Sequence, residues 1–323
     1  MKFIDFFSGV GGFTRGMELA GHECIGHCEF DKYAEASYRS MHTITEGQRK
    51  YLLTLPLKQR QKEILKDEYL NGEWYANDVC RVIADDIPRA DCLCFGFPCQ
   101  DISIAGHQHG FKGNRSSLFF RITNLVEQLK EEDRPNTLFI ENVRNLLSVN
   151  RGLDFARLLI ELDKIGYDAE WQVINSKHHG VPQNRERVFI IGHLRGRGRR
   201  KVFPIEGTGT KNSIKQIGQY TQNSDRGNPS PYRVYDHDGI SPCLTANSGG
   251  GSEPHITYVL GTGKAIRKLT PKECFRLQGW TDEYFEKAEQ INSNSQLYKQ
   301  AGNGVTVTVI KHIAERMYDD TIR

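Results

Sequence analysis

The chain has 323 residues, of which 38% are hydrophobic and 26% charged, a composition that excludes disordered, collagenous and membrane-spanning classes and suits one large domain with a smaller companion. Its net charge of +3 is too small to announce a nucleic-acid partner. No apolar run reaches bilayer length, and Met1-Lys2 running straight into Phe3-Ile4-Asp5 lacks a secretory core, so a cytoplasmic chain without membrane contact is expected.

Short apolar runs alternate with helical patterns through residue 192, which predicts an α/β domain of repeated βα units around a mainly parallel sheet. The first run, 3–7, is a strand that enters a turn with glycines at 9, 11 and 12, followed by a helix over 13–20. Such a loop lets backbone approach a nucleotide-like cofactor, although Gly9-Val-Gly-Gly-Phe-Thr14 is not GxGxxG and suits a plain tight turn as well. Beyond it, Glu29 is placed to take ribose hydroxyls and Phe30 to stack on a base; without the loop they are a routine acid and aromatic. Residues 44–75, strongly charged and helical after Pro56, read as a solvated insertion.

Further strands are predicted at 92–95, 137–140 and 188–191, with amphipathic helices over 118–129 and 153–165. After Gly192 the regularity stops, and turn-forming runs such as Asn228-Pro-Ser-Pro231 and Ser248-Gly-Gly-Gly-Ser252 mark a smaller, irregular unit. Helices resume over 270–277 and 305–317.

Three segments carry the chemistry. Gly96-Phe-Pro-Cys-Gln100 follows a strand, which sets Cys99 outside the carboxyl end of the sheet, where open α/β folds bind ligands. The ordinary alternative is a buried structural thiol; Pro98 and the polar tail Gln-Asp-Ile-Ser after Cys99 argue against it. A nucleophilic thiol needs nearby cations to favour the thiolate. Glu141 and Asn142 end the next strand at the same rim, or form a helix-capping pair, while Arg185 and Arg187 alternate toward one face of another strand, an arrangement usually solvated. The other seven cysteines (24, 28, 80, 92, 94, 243 and 274) form no CxxC pair, so no zinc site and no disulfide scaffold is expected.

Residues 193–265 hold ten Lys/Arg against five Asp/Glu and 12 of the 31 glycines, beginning with Arg195, Arg197, Arg199, Arg200 and Lys201. This is a flexible linker or a surface for an anionic polymer.

Taken in order, Phe6-Phe-Ser-Gly-Val-Gly-Gly12, Gly96-Phe-Pro-Cys-Gln100, Glu141-Asn-Val143, Gln183-Asn-Arg-Glu-Arg187, Arg267-Lys-Leu-Thr-Pro-Lys-Glu-Cys-Phe-Arg-Leu-Gln-Gly279 and Gln300-Ala-Gly-Asn-Gly-Val305 resemble the motifs of the DNA (cytosine-5)-methyltransferase family. The resemblance implies a Rossmann-like methyltransferase sheet domain, residues 1–192 with 296–323, and a smaller, irregular target-recognition domain with its hinge at 193–295. It implies S-adenosyl-L-methionine as cofactor, S-adenosyl-L-homocysteine as product and no metal. Cofactor contacts fall on Phe7, Gly9, Val10, Gly12, Glu29, Phe30, Asp78, Val79, Leu118, Asn303 and Val305, and the catalytic group on Cys99, Glu141, Arg185 and Arg187. Gln100, Ser103, Gln183, Arg195, Arg197, Arg199, Arg200, Lys201, Thr245, Gly249 and Gly250 would meet double-stranded DNA.

The implied reaction is methylation of carbon-5 of a flipped-out cytosine by a monomer, through a Cys99–C6 adduct. A cognate restriction endonuclease acting on the same site is the candidate partner. Alternatives are transfer RNA methylation and a non-catalytic DNA-binding homologue. Two departures stand out: Cys243 occupies a position where the family commonly has threonine, and residues 44–75 lengthen the path from Glu29 to Asp78.

Overall fold

Apolar strands without interruption are expected to be buried on both faces, and β1 (Lys2–Phe6) is. Its side chains alternate between two layers: Ile4 and Phe6 enter one core, Phe3 the other. The same partition recurs in β4 (Cys92–Phe95), β5 (Thr137–Val143) and β7 (Glu186–Leu194), whose Phe95, Ile140 and Ile190 share the first core and whose Cys94, Phe139 and Ile191 share the second. This computed structural model describes residues 1–97, 117–197, 201–209, 213–219, 233–246, 254–260 and 263–317.

Seven strands form the main sheet in the order β3-β2-β1-β4-β5-β7-β6, adding β2 (Glu23–Cys28), β3 (Trp74–Ala76) and β6 (Tyr167–Asn175). The five from β3 to β5 run parallel; β7 is antiparallel to both β5 and β6. The expected mainly parallel sheet therefore carries a reversed strand. The cause is the short connection from β6 to β7, which holds no crossover helix and can only turn the chain back.

Helices α5 (Ser117–Gln128) and α6 (Leu153–Lys164) cover one face through Phe119, Ile122, Leu158 and Leu162. The other face is covered by α1 (Gly12–Leu19) and α10 (Val307–Met317) through Phe13, Met17, Ile310 and Ile313. Their axes approach closely at Gly16, where a Cβ would stand 2.5 Å from Ile310.

Residues 44–75 are helical, as α3 (Glu46–Leu53) and α4 (Leu57–Glu63), but they are more than a solvated insertion. Leu52, Ile64 and Tyr69 share a small core with Ala36 of α2 (Lys32–Tyr38) and with Ile291. Arg60 and Gln61 donate to the carbonyls of Gln290 and Ile291, and Arg39 donates to those of Ile64 and Lys66. The segment thus straps the start of the chain to its last third.

A second sheet has the order β11-β10-β9-β8, built from β8 (Gln216–Gln219), β9 (Arg233–Tyr235), β10 (His255–Leu260) and β11 (Gly263–Lys268). After it, α7 (Pro271–Leu277) starts with a capping box, Thr270 with Glu273, and Pro271 at its first position. With α8 (Asp282–Glu289) and α9 (Asn294–Asn303) it packs Phe275, Trp280, Phe285 and Leu297 around Val10 and Met41. The region 271–303 therefore shares a core with the first loop of the sheet domain.

Candidate active site

Parallel strands put their carboxyl ends at one rim, so the residues after β1, β2, β3 and β4 are neighbours whatever their separation in sequence. After β1, Phe7, Gly9 and Gly11 all have positive φ, 57°, 58° and 83°. For Phe7 this is a left-handed conformation that costs about 1–2 kcal/mol and is kept where the surrounding structure over-determines it. Gly11 is doubly constrained, since a Cβ would also stand 2.4 Å from the imidazole of His42.

The Glu29 carboxylate braces this loop, accepting from the Gly9 amide at 2.8 Å and the Asp31 amide at 2.7 Å. Burial raises its pKa, against the lowering effect of those two amides. Phe30 beside it is 73% exposed, an aromatic face left toward solvent at the rim. On the neighbouring strand end Asp78 accepts from the Cys80 amide, and Val79 and the partly buried Leu118 belong to the first core. Val305 returns to the loop, its Cγ2 lying 2.7 Å from where a Gly12 Cβ would be, and Asn303 is exposed just before it. Val10 is 2% exposed, its side chain in one core cluster with Met41 and Trp280.

Two residues absent from the sequence reading complete this end. His42 lies 3.1 Å from the Val10 carbonyl, its imidazole held neutral because burial lowers its pKa to about 4. Asp5, buried beneath the loop, accepts from both the amide and hydroxyl of Thr14 and so holds α1. Its partner Thr14 lies nine residues on in a different element, and a lone Asp inside an apolar strand does not reveal it.

Glu141, two residues before the end of β5, is buried, with its Oε1 3.0 Å from Arg187 Nε. Its other oxygen stands 3.1 Å from where a Cβ of Gly96 would be, which is the reason a glycine fits there, and Asn142 donates to the carbonyl of Phe97. The carboxylate therefore borders the strand exit that leads to Cys99, a residue outside those described. Burial raises the pKa of Glu141, while Arg187 and then Arg185 lower it.

The two arginines meet different partners. Arg187 faces the carboxylate. Arg185, 3% exposed, donates to the carbonyls of Leu244, Gly302 and Gly304 and to Cys243 Sγ at 3.3 Å, tying three distant segments together.

The model of the C-5 cytosine-specific DNA methylase family matches residues 1–242 and 205–319. The chain belongs to this family. It is 31% identical to the type II methyltransferase M.HhaI of Haemophilus parahaemolyticus, over 97% of this chain and 93% of that one. It is also 31% identical to the type II methyltransferase M.Bsp6I of Bacillus sp. (strain RFL6), over 98% of each. The solved structure of the Entamoeba histolytica methyltransferase EhMeth superposes with a TM-score of 0.69 at 17% identity, covering 100% and 99% of the two chains.

The sequence of this C-5 cytosine methylase predicted a DNA face that the structure only partly assembles at the rim. Gln183 is fully buried, and both ends of its amide are used: it accepts from the Leu244 amide and donates to the Leu277 carbonyl. It is a joint between segments rather than a surface contact. Thr245 is exposed, with its backbone pressed on Gly302.

Arg195 and Arg197 follow the far end of β7, because that strand runs away from the rim. Glu141 pairs with Phe189 and Thr137 with His193, so Arg195, six residues beyond Phe189, begins the basic run roughly 20 Å along the strand from Glu141 at ~3.3 Å per residue. There Arg195 pairs with Asp163 at 2.6 Å, and Arg197 donates to the carbonyls of Glu131 and Arg134. Lys201 is exposed, and the next two amides, of Val202 and Phe203, are held by Glu170 of β6. Gln100, Ser103, Arg199, Arg200, Gly249 and Gly250 lie outside the described residues. No described helix is long and apolar enough to cross a membrane.

Proposed function

We propose that this methylase transfers a methyl group from S-adenosyl-L-methionine to carbon-5 of a cytosine flipped out of duplex DNA, with Cys99 as nucleophile. The observation that carries the reading is Glu141, a buried carboxylate held by Arg187 where the chain leaves β4 toward Cys99.

C5 of cytosine is a poor nucleophile, so electron density must be pushed onto it. The Cys99 thiolate adds to C6, forming the S–C6 bond, while Glu141 shares its proton with N3 and takes up the charge that develops there. Burial raises its pKa, the direction that favours the protonated form a donor needs. S-adenosyl-L-methionine, when bound, supplies the electrophilic methyl that C5 accepts. Loss of the C5 proton to solvent and expulsion of Cys99 restore the ring and the thiolate. Arg187 orients Glu141 and, with Arg185, stabilises negative charge in the pocket.

Residues 1–192 with 296–323 form the catalytic unit in this reading and 193–295 the target-recognition domain with its hinge. The residues present suit the cofactor: exposed Phe30 for the base, Glu29 for ribose hydroxyls, and the backbone of Phe7, Gly9, Val10 and Gly12 for close approach. Asp78, Val79, Leu118, Asn303 and Val305 would complete its surroundings, with S-adenosyl-L-homocysteine as the product. The protein acts in the cytoplasm as a monomer, and a restriction endonuclease of the same specificity is its natural partner.

The test is methyl transfer from labelled cofactor to duplex DNA and, in parallel, to transfer RNA. DNA labelling is expected, with 5-methylcytosine mapped by bisulfite sequencing. Cys99→Ser should bind DNA but form no covalent complex with 5-fluorocytosine substrate. Labelling of RNA alone, or trapping by the serine variant, would overturn the reading.

A further inference from the structure

Arg185 and Arg187 bring two guanidiniums into a pocket that holds one carboxylate, Glu141. Arg187 satisfies itself on Glu141 and on the carbonyl of Glu186. Arg185 is closed in by carbonyls, and its Nε has no partner among the described residues. Between the two cations lies Cys243, with its sulfur 3.3 Å from Arg185 Nη1 and 3.9 Å from Arg187 Nη2. We propose that Cys243 is a positioning residue of the methyl-transfer site, its sulfur anchoring both guanidiniums so that Arg187 stays turned toward Glu141. The proposal rests on the function given above.

The physical reason is charge balance under burial. Two cations beside a single carboxylate leave a surplus of positive charge in a buried pocket whether or not Glu141 holds its proton, and buried charges are tolerated when paired. A thiolate at Cys243 cancels one unit of that surplus. Burial pushes the thiol pKa up, but Arg185 and Arg187 outweigh it and bring it below its ordinary value. In the protonated state the same sulfur lies within reach of the Leu244 carbonyl at 3.4 Å, so two arrangements compete: S–H on Leu244, or S⁻ between the arginines. The groups facing the sulfur are Arg185 before β7, Arg187 on β7 and the Leu244 carbonyl, with Glu141 of β5 one step beyond through Arg187. A threonine hydroxyl cannot supply the anion.

The experiment has two arms on the full-length chain. In Cys99→Ser protein, alkylation of Cys243 by iodoacetamide is followed across pH by mass spectrometry of its peptide. Its midpoint is expected below the ~8.5 of a free cysteine and should move up when Arg187→Gln is added. In the methyl-transfer assay, Cys243→Ala should lower kcat about tenfold or more, the cost of a misdirected catalytic group, with KM for DNA changing less than about twofold. Cys243→Asp, which keeps an anion, should recover more of kcat than Cys243→Ser; both are checked for native circular dichroism, and the serine variant alone suffices if the aspartate variant is unfolded.

A midpoint at or above that of free cysteine and unmoved by Arg187→Gln would overturn the proposal, as would wild-type kcat in Cys243→Ala. Absence of methyl transfer by the wild-type protein would instead overturn the function on which it rests.

Discussion

Arg187 Nε sits 3.0 Å from the Glu141 carboxylate, the two residues projecting from antiparallel neighbours in which Arg187 pairs with Val143 and Glu141 with Phe189. Such diagonal neighbours are within reach of a long side chain, and the pair sets how firmly Glu141 keeps its proton. Removing the cation takes away a lowering influence, so the pKa of Glu141 must rise further. Arg187→Gln is therefore expected to move the alkaline limb of the kcat/KM profile to higher pH, while reducing the maximum about 10–100-fold. Glu141→Gln should lose that limb and about 10²–10⁴-fold in kcat. An unmoved limb in Arg187→Gln would show that a different group controls it.

Gly12 has no room for a side chain, because Val305 Cγ2 and the Val305 carbonyl lie 2.7 Å and 3.1 Å from its would-be Cβ. Gly12→Ala should push the start of α10 off the cofactor loop. Affinity for S-adenosyl-L-methionine, measured by calorimetry, is expected to fall about tenfold or more, with a loss of about 1–3 kcal/mol in stability from overpacking. Adding Val305→Ala removes the nearer clash and should restore part of both. Equal defects in single and double variants would mean that Val305 is not the obstacle.

Arg195 and Arg197 are bonded to Asp163 and to the carbonyls of Glu131 and Arg134, at the end of β7 opposite Arg187 and Glu141. Replacing both with alanine should leave the salt dependence of DNA binding unchanged. A phosphate contact would instead flatten the slope of log K against log salt by about 0.9 per contact. The loss should be in stability, at about 0–1 kcal/mol for an exposed ion pair such as Arg195 with Asp163. A flatter slope would return these arginines to the DNA face.

Asp5 beneath the glycine loop is pushed up to about 7 by burial, against the lowering effect of Thr14. In the unfolded chain it titrates near 3.9. Between those values the folded state holds a proton that the unfolded state releases, so this contribution is full below about pH 4 and is lost as pH climbs through about 7. Asp5→Asn keeps an acceptor for Thr14 and has no charge to bury. Its melting temperature relative to wild type should thus rise by several degrees between pH 5 and pH 8, followed by scanning calorimetry. A constant difference would show that Asp5 does not titrate in this range.

Much of the catalytic unit was legible because its strands are continuous apolar runs. Burial on both faces demands such runs in β1, β4, β5 and β7, and the glycine loop and Glu141 lie toward the ends of β1 and β5. The strands missed were those lacking that pattern. In β2, Gly26 and His27 interrupt the run, and Gly26 is required only because Trp74 of β3 comes within 2.9 Å of its would-be Cβ. The edge strand β6 carries Asp168, Glu170 and Gln172 and leaves Trp171 half exposed. Residue type and order were enough to set Glu141 toward the end of a strand, since that placement needs no knowledge of distant partners.

What depended on the folded chain was direction and partnership. Because β7 runs back through the sheet, one strand delivers Arg187 to the rim and carries Arg195 to the opposite end, which no local pattern of charge encodes. Likewise Gln183 reads as a surface amide and is a buried joint, and Cys243 reads as a departure from threonine and lies between two guanidiniums. Local periodicity records which face of an element is apolar, whereas long-range packing selects the group that each polar side chain finally meets.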